Sequence, residues 1–139
     1  MTKSINSEFG TPTTYLSTEL NAKADDSVVL GGEIDNSTNR YLYMDIEAYL
    51  ASVDLSGEVD PHLQVRLIAS IDGTEYEDND DKAWAITLPI SPTNAAHRRI
   101  GTLRIPPCKF KLAIVNKTEA TLAATLNTIK YVTYTPETA

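Results

Sequence analysis

The chain has 139 residues, 42% hydrophobic and 22% charged, with 12 Lys and Arg against 19 Asp and Glu for a net charge of −7. That length suits one domain burying roughly two thirds of its unfolded surface, and a single Cys108 excludes an internal disulfide framework. The acidic balance is the reverse of what a phosphate-tracking protein carries, and no apolar run approaches the roughly 20 residues of a membrane-spanning helix, so neither nucleic acid nor membrane is an expected partner.

The start, Met1-Thr2-Lys3-Ser4-Ile5-Asn6, lacks the apolar stretch of a secretory signal. Residues 1–25 are rich in Ser, Thr and Asn, with Phe9, Tyr15, Leu16 and Leu20 as scattered apolar points. They read as a partly extended N-terminal arm, either frayed or docked on a neighbour, with one lone strand near Thr14 to Leu20. Residues 26–139 read as the folded domain. Ser27 to Leu30 is a short strand closed by Gly31-Gly32, and Asp35 to Asn39 is a turn cluster.

Two strict period-2 ladders follow. Leu42, Met44, Ile46, Ala48 and Leu50 alternate with Tyr41, Tyr43, Asp45, Glu47 and Tyr49. Leu63, Val65, Leu67, Ala69 and Ile71 alternate with His62, Gln64, Arg66, Ile68 and Ser70. Successive side chains of a strand point to opposite faces, so such alternation marks half-buried strands. Asp72-Gly73 ends the second ladder, and an acidic loop runs on to Asp81. Shorter strands are expected at Trp84 to Leu88, Ile100 to Ile105 and about Phe110 to Val115, then a longer one from Leu122 to Tyr134. Ala95-Ala96-His97 reads as a single helical turn. Seven to nine strands at this cadence predict an all-β, single-domain antiparallel β-sandwich of jelly-roll type.

Charge is sorted along the chain. Seventeen of the 19 acids precede Lys82, and seven of the 12 bases lie between Lys82 and Lys117, where no acid occurs. Either strand order sorted them, or the surface is two-signed and pairs with another protein or copy.

No catalytic constellation is visible. Asp72, Glu75, Glu77, Asp78, Asp80 and Asp81 are oxygens for Ca²⁺ or a solvated loop, without the Gly and distal Glu of an EF-hand. His62, His97 and Cys108 match no zinc spacing, there is no Gly-x-Ser-x-Gly elbow, and neither cofactor nor metal is expected. A carboxylate pair for glycoside cleavage is set by geometry, not motif, so a β-sandwich hydrolase stays as a third alternative. Tyr41, Tyr43 and Tyr49 share the polar face of their ladder. They cover a neighbouring segment, or contact a protein, or stack on sugar rings.

The stretch Leu103-Arg104-Ile105-Pro106-Pro107-Cys108-Lys109-Phe110-Lys111-Leu112-Ala113-Ile114-Val115-Asn116-Lys117, with Asn127 to Tyr131, Glu33 to Asn39 and Ser70 to Tyr76, resembles virion structural proteins of tailed bacteriophages. Among them it is most similar to jelly-roll capsid cement (decoration) proteins. The resemblance implies a non-enzymatic protein, made in the host cytoplasm and located on the outer surface of the virion capsid. It would bind the major capsid protein and itself, as a dimer or trimer. Its expected contact residues are Phe9, Tyr15, Leu16, Tyr41, Tyr43, Tyr49, Arg98, Arg99 and Arg104. The alternative is a carbohydrate-binding β-sandwich of a phage tail or fibre.

Overall fold

The computed structural model describes residues 11–136. Eight strands follow in order: β1 (Thr13–Leu16), β2 (Val28–Asp35), β3 (Tyr43–Asp54), β4 (His62–Ser70), β5 (Ala85–Pro89), β6 (Asn94–Arg104), β7 (Lys109–Lys117) and β8 (Thr128–Tyr134). Among the described residues no helix forms. Every pairing is antiparallel: β1 with β8, β2 with β7, β3 with β6 and β4 with β5, while β8 also pairs with β3 and β7 with β4. The chain is thus a long hairpin rolled into two four-stranded sheets, β1-β8-β3-β6 and β2-β7-β4-β5. This is a jelly roll, as the strand cadence predicts.

The two ladders put one face each into the core. Met44, Ile46, Ala48 and Leu50 of β3 join Leu63, Val65 and Leu67 of β4, with Phe110, Leu112 and Ile114 of β7, in one buried cluster. Burial of this apolar area is the main force holding the sheets together. Both ladders stop short of their expected ends: Leu42 and Ile71 lie outside the strands and are exposed.

The described part of the expected arm carries the lone strand that its sequence suggests. Thr13–Leu16 is an edge strand on β8, and Leu16 and Leu20 belong to the core cluster. Residues 1–10, Phe9 among them, lie outside the described residues. Gly31-Gly32 does not end β2 either. The strand runs through both, with its register against β7 shifting between Leu30 and Glu33. The reason is Tyr15: a Cβ at Gly31 would collide with its ring, and the missing side chain lets the phenol cross between sheets. Ala95 to His97 is strand, part of an unbroken β6. The last strand begins only at Thr128, because residues 118–127 form a loop that tucks Leu122 into the core.

Three buried asparagines hold the loops in place. Asn36 Nδ2 donates to the carbonyls of Tyr41 (2.9 Å) and Pro106 (2.8 Å). Asn116 Nδ2 donates to the carbonyls of Lys23, Ala24 and Ala120. Asn127 Nδ2 donates to Asn21 Oδ1 and the Ala123 carbonyl, while its Oδ1 accepts the Ala51 amide. Buried polar groups satisfied in this way specify one arrangement of the loops.

Candidate functional site

Cross-strand partners share a face, so the register writes out the exterior of the β1-β8-β3-β6 sheet. Four rows cross it: Arg104–Tyr43–Tyr134, Thr102–Asp45–Val132, Ile100–Glu47–Lys130 and Arg98–Tyr49–Thr128. None of these twelve side chains is buried. Between them runs a shallow groove of about 560 Å³ lined by Pro12, Thr14, Glu47, Ile100, Lys130 and Val132, among others.

The polar groups of this face hold one another. The Tyr43 and Tyr134 rings stack at 5.8 Å with 28° between planes. The Asp45 carboxylate accepts the Tyr134 hydroxyl at 3.0 Å and the Thr102 hydroxyl at 2.8 Å. Partial burial, then the nearby Asp45 carboxylate, raises the Tyr134 phenol above its ordinary pKa. Arg98 reaches Glu47 at 2.7 Å and lies 4.8 Å over the Tyr49 ring. One face of each ring is therefore covered, which leaves less open π-surface for sugar stacking. The result is a pre-ordered mosaic of aromatic, apolar and charged groups, its Tyr and Arg side chains being types enriched at protein contacts.

The opposite exterior, on β2-β7-β4-β5, is built differently. Arg66, Ile68 and Ser70 of β4 and Ala113 and Val115 of β7 point outward, yet all five are buried. The segment after β4 folds back over part of this face. Lys111 Nζ lies 4.4 Å over the Tyr76 ring, the Tyr76 hydroxyl donates to Glu33, and Arg66 Nη1 donates to Asn79 Oδ1 at 3.2 Å. The acidic loop 72–81 is thus a roof. Its Asp72 carboxylate accepts the Thr74 and Glu75 amides, which hold its pKa below the usual value. Among the described residues no three His, Cys, Asp or Glu side chains gather as metal ligands.

Of the residues expected to contact partners, Tyr43, Tyr49, Arg98 and Arg104 come together on the open exterior. Tyr41 does not. It precedes β3, is clasped by Asn36, and lines a cleft at the end of the sandwich. Arg99 turns the other way, its Nε donating to the Pro89 carbonyl at 2.7 Å. Leu16 is only 2% exposed. The Tyr15 hydroxyl donates to the Gly32 carbonyl at 2.6 Å and accepts the Leu112 amide at 3.0 Å. Burial pushes its pKa to about 12. Tyr15 is a tie between sheets. Ile100, Lys130, Val132 and Tyr134 join the face without having been singled out as contact residues, because they depend on which strands flank β3.

The sorting of charge along the chain also resolves. Glu33 meets Lys109 at 3.9 Å, Asp26 meets Lys117 at 2.6 Å, and Glu47 meets Arg98. Acid-rich β2 and β3 lie beside base-rich β7 and β6, so the two signs interleave within one molecule.

No protein-family model and no curated protein matches the chain. Among solved structures, a chain of the capsid of Ralstonia phage GP4 superposes with a TM-score of 0.52 and 16% identity, over 100% of this chain and 91% of that one. A family GH115 4-O-methyl-α-glucuronidase follows at TM-score 0.47 and 10% identity, over 91% of this chain but 17% of that one. An exo-β-1,3-galactanase from Phanerochaete chrysosporium reaches 0.42 and 14%, over 90% of this chain and 30% of that one.

Proposed function

We propose that this chain is a non-enzymatic structural protein of a phage virion, a cement on the outer surface of the capsid that binds the major capsid protein and its own copies. The observation that carries the reading is the contrast between exteriors: one is roofed in part by the chain itself, the other is open and internally braced. A braced, open sheet adheres without reorganising, so little ordering entropy opposes binding. The capsid chain with which the fold superposes is matched over nearly its whole length, which supports the virion setting. Cementing follows from differential affinity. A protein that binds assembled shell and not free subunits lowers the free energy of the lattice, and several weak contacts per oligomer add through effective concentration.

The test is co-sedimentation with purified shells of the parent phage. Wild type is expected to pellet with them, and the Tyr49→Ala/Arg98→Ala double variant to bind at least tenfold more weakly while keeping its fold. Equal binding by the two proteins removes the open sheet from the contact, and no binding by wild type ends the cement reading.

A further inference from the structure

The two ends of the sandwich differ in charge and shape. At the end of the sandwich where β3 begins is a cleft of about 610 Å³ lined by Tyr41, Leu42, Trp84 and Pro106, with Arg40 and Arg104 beside them. Trp84 is 52% exposed there. The Arg40 Nε donates to the Ser37 carbonyl at 3.3 Å, and among the described residues neither guanidinium has a carboxylate partner. Glu77 also lines the cleft, with one carboxylate oxygen already accepting the Ala69 amide.

At the other end, the β3–β4 loop projects Val59, 91% exposed, between Glu58 and Asp60. This tip is stiff. Asp54 accepts the Ser56 amide at 3.0 Å, the Glu58 amide donates to the Leu55 carbonyl at 3.0 Å, and Leu55 is fully buried. On its far side Pro61 is buried and accepts the Ile90 amide. Like charges crowd the tip: Glu119, Asp25 and Asp54 all raise the Glu58 pKa, a repulsion that an incoming cation relieves.

We propose that the cleft receives the Glu58-Val59-Asp60 tip of a second copy, Val59 against Trp84 and the two carboxylates against Arg40 and Arg104, so that molecules associate head to tail. β3 spans the two ends, and its 12 residues at about 3.3 Å each keep tip and cleft too far apart to meet within one molecule. A contact between unlike surfaces closes a ring or extends a filament according to its rotation. The proposal deepens the self-association part of the reading above and rests on it.

The experiment is sedimentation velocity on the full chain across a concentration series, with thermal unfolding as the check on folding. Glu58→Lys/Asp60→Lys and Arg40→Glu/Arg104→Glu are each expected to weaken self-association at least tenfold. An equimolar mixture of the two is expected to regain it, since each tip then meets an oppositely charged cleft. A wild type that stays monomeric overturns the contact, and so does a mixture that fails to recover. Shell co-sedimentation of the same proteins separates the two readings. If wild type associates and binds shells but the mixture does not recover, this contact falls and the cement role stands. If wild type is monomeric, the second-copy assignment falls, and shell binding by Arg40→Glu alone, which leaves the open sheet untouched, shows whether the cleft serves the shell instead.

Discussion

The two sheets of this sandwich are written in the same alternating pattern, yet their exteriors end in opposite states. On β2-β7-β4-β5, Ile68 is 2% and Arg66 8% exposed because the loop after β4 lies over them. On β1-β8-β3-β6, outward Glu47 and Val132 of the interior strands are half-buried and Ile100 of the edge strand is 60% exposed. Strand composition did not decide this. A loop did, by having Tyr76 and Asn79 placed to meet Lys111 and Arg66. An exterior becomes available for docking here because no segment of the described chain crosses it.

The contrast can be broken from the roofed side. Ile68→Ala empties a site that the roof closes, and its cost is expected near 3 kcal/mol by chemical denaturation, with shell binding unchanged. A cost under 1 kcal/mol would mean that the roof does not pack.

Tyr15 tests whether the open sheet owes its rigidity to the other one. Tyr15→Phe leaves the Leu112 amide without its acceptor and is expected to cost about 1–2 kcal/mol. The same phenol predicts an alkaline signature. Its folded-state pKa, about 12, exceeds the ordinary value of 10, so only the unfolded chain loses this proton at first. Stability due to Tyr15 is full below pH 10 and declines from pH 10 to about 12, a slope that Tyr15→Phe should flatten in a thermal series.

Tyr76→Ala loosens the roof alone. It removes the contact with Lys111 and the bond to Glu33, and the expected loss of stability is smaller than that of Tyr15→Phe. Faster hydrogen exchange should be confined to β4 and β7. Smallest of all is the effect on stability of Arg98→Ala on the open sheet. Its ion pair with Glu47 is largely exposed, and such pairs are worth about 0–1 kcal/mol. A loss above 2 kcal/mol would show that this face is structural and not adhesive.

The fold was legible where a strand is half buried, since Met44 to Leu50 and Leu63 to Leu67 declare two faces by themselves. It was illegible where a feature answers to something distant. Gly31-Gly32 reads as punctuation until the Tyr15 ring is seen against it. Ala95-Ala96-His97 has helical propensity, but β3 supplies a hydrogen-bonding partner along its length, and pairing overrides propensity. The site divides in the same way. Tyr43 and Tyr49 were visible as outward residues of one strand. Tyr134 and Lys130 entered only through the register of β8 on β3. Tyr41, two residues before β3, follows the same alternation but belongs to the cleft. The charge pattern suggested a surface of two signs because neighbours in space, β2 with β7 and β3 with β6, are far apart in sequence.

That rolled-up order also governs how the molecule comes into being. β8 fills the place between β1 and β3, and β7 the place between β2 and β4. A nascent chain that has emerged only as far as β6 holds two sheets with vacant slots, their backbone donors and acceptors unanswered and their apolar faces wet. Closure waits for the late strands, loop-closure entropy is met before the β7 and β8 pairings reward it, and slow folding is the expected result. During that interval the half-built sheets are templates for strands of other chains, which makes growth temperature and synthesis rate the first levers on the yield of native protein.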